Sequence, residues 1–300
     1  MKKSKKILIV GGTGFIGYHL AKKCLRKKWY VVSFSKNKPR KERRLKKINY
    51  LIGDLSNLKD LKKINQKYDY VVNLGGYVDH SNKTKTYNSH FIGCKNLARI
   101  FLRKKIKSFV QVGSSGEYGK FKSPQIELSR GNPKSIYARS KFLASNYLLN
   151  LFKKTKFPVT ILRLYQAYGP GQDINRFIPI VIDACLRNKK FDCSDGKQLR
   201  DFIYIDDVIN VIIKSLSSSN SKGEIFNIGT GKPKKIKNVI NYLTKKLRGG
   251  KPIFGKIKLR KDEILKIYPD ISKAKKVLKW YPKTDFNKGL FKTIRYYKRN

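Results

Sequence analysis

Tyr137 and Lys141 stand four residues apart in the run Tyr-Ala-Arg-Ser-Lys, a spacing that puts both on one face of a helix. A phenol with a pKa near ~10 is a poor acid or base at neutral pH. An ammonium one turn away favours the phenolate and brings the proton into working range, so the pair can exchange a proton with a substrate oxygen. Ser114, just after the apolar run 109–112, can bond the same oxygen. Alone, Tyr-x-x-x-Lys describes a solvated helix face more readily than a reacting pair in so lysine-rich a chain. A second stretch carries different chemistry. Residues 7–17 read Ile-Leu-Ile-Val-Gly-Gly-Thr-Gly-Phe-Ile-Gly. Four apolar residues form a buried strand, then come Gly11, Gly14 and Gly17 at a spacing of three, then a helical face of Ile16, Leu20, Cys24 and Leu25. A strand turning at once into a helix aims backbone N–H groups and the positive end of the helix dipole at one spot, which suits a pyrophosphate. A Cβ at these glycines would block the turn, the ligand or the packing of helix on strand.

The elements that must position these residues alternate. The pattern predicts strands over 30–35, 50–52, 70–73, 109–112 and 159–164, and helices over 84–104 and 135–154. That is an α/β fold, a Rossmann-type doubly wound parallel sheet with a smaller C-terminal α/β substrate domain. We expect the dinucleotide domain over 1–169, with a return near 201–229, and the substrate domain over 170–300. After Tyr168-Gly169-Pro170-Gly171 the pattern predicts a helix over 178–188, a strand running into a helix over 199–208, and helices over 236–247 and 286–298. Residues 215–221 read as a short polar turn. Ligands in such folds bind beyond the carboxyl ends of the strands.

Seventy Lys+Arg against nineteen Asp+Glu give a formal charge of +51 over 300 residues. The lysines run end to end beside many Asn and Ile, as a compositional bias produces, with no basic tail. No specific nucleic-acid partner is expected, although polyanions should adhere at low salt. A positive field would also recruit an anionic small substrate. The apolar run after the basic start is too short for a signal peptide, and no stretch approaches the ~20 apolar residues of a membrane span. Cys24, Cys94, Cys185 and Cys193 show no metal-type spacing, so we expect no metal and reduced thiols in a cytoplasmic protein.

Taken together, Gly11, Gly14 and Gly17, Asp54 after the third strand, Ser114, and Tyr137 with Lys141 resemble the extended short-chain dehydrogenase/reductase family of nucleotide-sugar epimerases, dehydratases and reductases. Asp195-Gly196 with Arg200-Asp201-Phe202, Asn227-Ile228-Gly229-Thr230-Gly231 and Asp270-Ile271-Ser272-Lys273-Ala274 are similar to that family's later marks. The resemblance implies Tyr137 as general acid/base, Lys141 on the nicotinamide ribose, Ser114 on the substrate oxygen, Asp54 on the adenine and Arg200 on the nucleotide diphosphate. It implies a cofactor site drawn from Gly11, Thr13, Gly14, Phe15, Ile16, Gly17, Ser35, Lys36, Asp54, Leu55, Leu74, Gly75, Tyr137 and Lys141. On the substrate side stand His80, Ser115, Gln166, Asn175, Arg176 and Arg200. Gln166 replaces the family's frequent asparagine, and Asn175 with Arg176 opens a helix where a diphosphate could bind. Glu117 is a further candidate for substrate contact, whereas Tyr118, Phe177, His19 and His90 read as structural. A homodimer through the helices after strands four and five is expected from the family.

Departures narrow the chemistry. NAD-using members resemble one another in an acidic residue after strand two; here stand Ser35, Lys36, Asn37, Lys38 and Arg40, which favour NADP(H) while leaving NAD(H) possible. The Asp-Glu pair of the 4,6-dehydratases is replaced by Ser115-Gly116. The cysteine and histidine of the GDP-fucose synthase branch would fall at Gly116 and near Gly171, and both are missing. What remains is reduction of a 4-keto nucleotide sugar, as in reductases of the CDP-abequose synthase type, or NAD-dependent 4-epimerisation. A non-enzymatic NADP(H)- or polyanion-binding protein on the same fold would have no need of a proton donor at Tyr137.

Overall fold

The computed structural model describes residues 4–77, 79, 81–129, 131–260 and 263–299. The first half runs β1 (Lys6–Val10), α1 (Phe15–Arg26), β2 (Tyr30–Ser35), β3 (Ile48–Ile52), α2 (Leu58–Leu61), β4 (Tyr70–Asn73), α3 (Lys83–Tyr87), α4 (Gly93–Leu102), β5 (Ser108–Ser114), α5 (Ile136–Thr155) and β6 (Val159–Leu164). The second runs β7 (Gln166–Tyr168), α6 (Phe177–Leu186), β8 (Lys190–Asp192), β9 (Leu199–Arg200), β10 (Phe202–Tyr204), α7 (Ile205–Ser217), β11 (Glu224–Ile228), β12 (Lys234–Lys235), α8 (Ile236–Leu247), β13 (Lys251–Ile253), β14 (Lys266–Ile267), α9 (Ser272–Leu278) and α10 (Phe286–Tyr297).

Seven parallel strands form the main sheet in the order β11-β6-β5-β4-β1-β2-β3. β1 is apolar on both faces because helices cover both. Ile7 and Ile9 join the core shared with Leu20 and Cys24 of α1 and Val208 of α7. Leu8 and Val10 join the core shared with Leu97 of α4 and Leu148 of α5. The strand order reverses between β1 and β4, and a crevice opens at their carboxyl ends, where an open α/β sheet binds its ligand.

Several predicted elements differ in detail. The helix over 84–104 is two α-helical segments joined by a π turn at Asn88–Ile92, and it starts where the Asn82 side chain accepts the Lys85 N–H. The strand over 50–52 begins at Ile48, and the helix over 178–188 is Phe177–Leu186. The single strand expected before α7 is split at Asp201, whose carboxylate turns aside to accept the N–H and hydroxyl of Thr230. β11 and α9, which no predicted element covered, place Glu224 beside Lys273 in an ion pair of 2.7 Å.

Leu8 has no exposed surface and belongs to the core shared with α4 and α5. Leu8→Ala is expected to cost about 2–5 kcal/mol, read as a lower urea midpoint with unchanged slope.

Candidate active site

The glycine loop between β1 and α1 is built by close approach. Gly11 has φ +78° and donates its N–H to the Phe34 carbonyl at 2.8 Å. A Cβ on Gly17 would fall 2.2 Å from the Gly11 carbonyl oxygen, so only glycine lets α1 rise this close to the strand. Gly12, outside the spacing of three, is equally constrained: a Cβ there would lie 2.4 Å from Ser33 Oγ on the neighbouring strand. Gly14 caps α1 without a side-chain bond, which leaves the first turn of the helix facing the crevice. These features fit a dinucleotide pyrophosphate, which the helix N-terminus would hold.

The crevice is a cleft of about 420 Å³. Gly11, Gly14, Phe15, Ile16, Gly17 and Leu74 line it, with Ser114, Ser115, Tyr137 and Lys141 at its far end. Thr13, Ser35, Lys36, Asp54, Leu55 and Gly75 stand behind or beside this lining. Ser35 Oγ is buried and accepts the Thr13 N–H at 3.3 Å, so that hydroxyl serves the glycine loop. Lys36 pairs with Asp54 at 2.8 Å, and Asp54 also accepts the N–H and hydroxyl of Ser56. Burial opposes ionisation of Asp54, but the Lys36 and Ser56 bonds prevail and hold its carboxyl below the ordinary value. Leu55 packs against Gly75 and Gly93, and the Gly75 N–H donates to Asn73 Oδ1 at 3.0 Å.

Ser135 caps α5 by accepting the Ala138 N–H, which sets Tyr137 in the first turn. Lys141, one turn on, is buried and donates from Nζ to the Val112 carbonyl at 2.8 Å. The ammonium is thereby fixed between α5 and the end of β5. Ser114 ends β5; its Oγ accepts the Gly116 N–H at 3.1 Å. Its N–H donates to Glu117 Oε1 at 2.8 Å. Glu117 is wholly buried and turned away from the cleft: Oε2 accepts Arg163 Nε at 2.9 Å and the Ser145 hydroxyl at 2.8 Å. Arg163 also lies 4.4 Å over the Tyr118 ring, whose hydroxyl donates to Asn227.

The opposite wall brings Gln166 and Arg176 into the cleft. Gln166 also borders a second cavity of about 510 Å³ lined by Phe177, Phe191, Gln198, Arg200, Arg260 and Glu263, among others. Arg200 reaches this second cavity rather than the first, and it is already bonded to Glu263 and to the carbonyls of Leu199 and Leu265. Asn175 is exposed, in neither lining. His80 lies outside the described residues. Sequence reasoning passed over Asp173, a cleft residue that binds Arg43 at 2.8 Å and Arg40 at 3.1 Å. His90, which reads as structural in the sequence, is buried and lines the cleft with its ring against Tyr137.

A dinucleotide cradle at the switch point, with a Ser/Tyr/Lys set at its far end, defines a short-chain dehydrogenase/reductase of the extended type. The chain belongs to the NAD dependent epimerase/dehydratase family, whose model matches residues 7–229. It is an NAD(P)-dependent enzyme of that nucleotide-sugar-modifying family. It is similar to the CDP-abequose synthase of Salmonella muenchen, 27% identical over 298 residues that cover 97% of each chain. Among solved structures, the UDP-glucose 4-epimerase of Thermotoga maritima with UDP-glucose superposes with a TM-score of 0.92 at 24% identity, covering 98% of this chain and 99% of that one. The UDP-glucuronic acid 4-epimerase of Bacillus cereus, with UDP-glucuronic acid and NAD, gives 0.88 at 26% identity and the same coverage. Among the described residues, no helix is long and apolar enough to cross a membrane.

Removing Glu117 would leave the Arg163 guanidinium buried and unpaired. Glu117→Ala is expected to lower stability by about 3–5 kcal/mol, measured by urea unfolding, and to depress kcat because Ser114 loses the acceptor that holds its backbone.

Proposed function

We propose that the enzyme reduces a 4-keto nucleotide-activated sugar with NADPH, in surface polysaccharide synthesis in the cytoplasm. The observation that carries this reading is the run after β2, which offers Lys36, Lys38 and Arg40 before its first carboxylate, Glu42. A 2′-phosphate brought there would compete with Asp54 for Lys36 and with Asp173 for Arg40, and no carboxylate occupies the end of β2 to repel it. Residues 1–169, with 201–229, hold the cofactor; residues 170–300 hold the sugar nucleotide; and two copies pair through α4 and α5.

The nicotinamide, when bound, supplies the hydride for C4. Tyr137 gives its hydroxyl proton to the C4 oxygen, and Ser114 bonds that same oxygen and polarises the carbonyl. The Lys141 ammonium favours the phenolate left behind until solvent returns the proton. Ser115 and Gln166 line the sugar side, Arg176 meets the diphosphate, and Arg200 binds the nucleotide from the second cavity. The ketone becomes an alcohol for one hydride and one proton.

A second reading is NAD-dependent 4-epimerisation. It is supported by the likeness to the Bacillus cereus epimerase, solved with NAD, over almost the whole chain. The two differ in how the cofactor is held. A reductase exchanges it every cycle; an epimerase returns the hydride and keeps it.

Purified enzyme, denatured to release any nicotinamide and then titrated with NADPH and NADH, is expected to hold little cofactor and to prefer NADPH; stoichiometric, non-exchanging NAD would replace the reductase by the epimerase. Tyr137→Phe is expected to abolish turnover with cofactor affinity nearly intact, by stopped-flow and fluorescence titration.

A further inference from the structure

His90 is the one histidine placed against a reacting side chain among the described residues. Its ring centroid lies 5.0 Å from that of Tyr137 with an interplanar angle of 80°, an edge-to-face contact. Such geometry sets the edge of one ring on the face of another and resists rotation of either. The imidazole is itself fixed. Nε2 is 3.2 Å from the Tyr77 carbonyl, an acceptor only, so Nε2 carries the proton in that bond. Space for the ring is kept by Gly76, where a Cβ would fall 1.9 Å from His90 Cε1. His90 sits in the π turn Asn88–Ile92 that interrupts the α3–α4 helix. Single π turns inside helices occur often at functional sites. Only 6% of His90 is exposed, and it lines the cleft.

We infer that His90 is a positioning residue for Tyr137. It ties the phenol to the Tyr77 loop after β4 while Ser135 and α5 hold the Tyr137 backbone. The contact is between different elements: the π turn supplies the imidazole, the post-β4 loop anchors it, and α5 carries the phenol. An apolar ring could fill the space; a ring with an N–H donor also fixes its own tilt. A hydroxyl displaced by about 1 Å costs on the order of a hundredfold in rate, so the orientation of the phenol bears on kcat and scarcely on binding. This role rests on the proposed use of Tyr137 as the proton donor.

The test uses His90→Asn, which removes the ring, and His90→Phe, which keeps a ring edge but no donor. His90→Asn is expected to lower kcat about tenfold to a hundredfold while KM for the sugar nucleotide and the cofactor Kd stay within about twofold, and His90→Phe should recover part of kcat. An unchanged kcat in His90→Asn, or a fall matched by KM and Kd and equal in both variants, overturns the inference. A readout independent of turnover is the [Cζ-13C]tyrosine resonance of Tyr137, assigned by its loss in Tyr137→Phe. It should move in His90→Asn and return part of the way in His90→Phe; an unmoved signal overturns the contact. Wild-type enzyme without turnover, with the resonance still responding, would sink the proposed reaction and leave the positioning contact standing.

Discussion

A buried carboxylate holds together the end of the cleft lined by Ser114, Tyr137 and Lys141. Glu117 accepts the Ser114 N–H from the end of β5, the Ser145 hydroxyl from α5 and Arg163 Nε from β6. Taking such a charge out of water is costly, and the arrangement survives only because each oxygen is bonded and the counter-charge is adjacent. Its geometry fixes β5, α5 and β6 relative to one another. Since α5 also carries Tyr137 and Lys141, the same carboxylate determines where Ser114 stands relative to the phenol. Lys141 adds a second tie between the two elements through the Val112 carbonyl.

The two walls of the cleft are joined by a different set of contacts, all on the loop after β7. His19 of α1 bonds the Pro170 carbonyl at 2.9 Å, Arg43 bonds Gly171 O and Asp173, and Tyr297 of α10 bonds the Gln172 carbonyl. Burial lowers the pKa of His19, against the pull of the Pro170 bond, so the neutral ring is favoured at this junction. The glycine loop is thereby coupled to the segment that presents Gln172, Asp173 and Arg176 to the cleft. A dinucleotide seated on α1 would meet a wall already in place.

β1, the glycine loop and the Tyr137–Lys141 pair are legible in the sequence because each is set by a local pattern: an unbroken apolar run on a buried strand, three glycines, four residues on a helix. Gly12 escaped because its constraint is Ser33 on another strand. Glu117 invites a functional reading because it adjoins Ser114, but two partners from distant segments, Ser145 and Arg163, turn it inward. His90 read as structural because helical periodicity carries no sign of the π turn that re-aims it. The pairing of Arg40 and Arg43 with Asp173, some 130 residues away in the chain, was invisible for the same reason: tertiary neighbours decide which cations are committed. The split of β9 from β10 at Asp201 follows from a side-chain bond to Thr230 that no local pattern announces.

In the proposed reaction a hydride passes from reduced nicotinamide to C4 of a sugar nucleotide and stays there. The direct measurement is incubation of the purified enzyme with a 4-keto sugar nucleotide and NADPH deuterated at the transferring position, followed by mass spectrometry of the sugar. One deuterium is expected in the product, with one equivalent of NADP formed per turnover. A product without deuterium, or interconversion of 4-epimers with no net oxidation of cofactor, would contradict it.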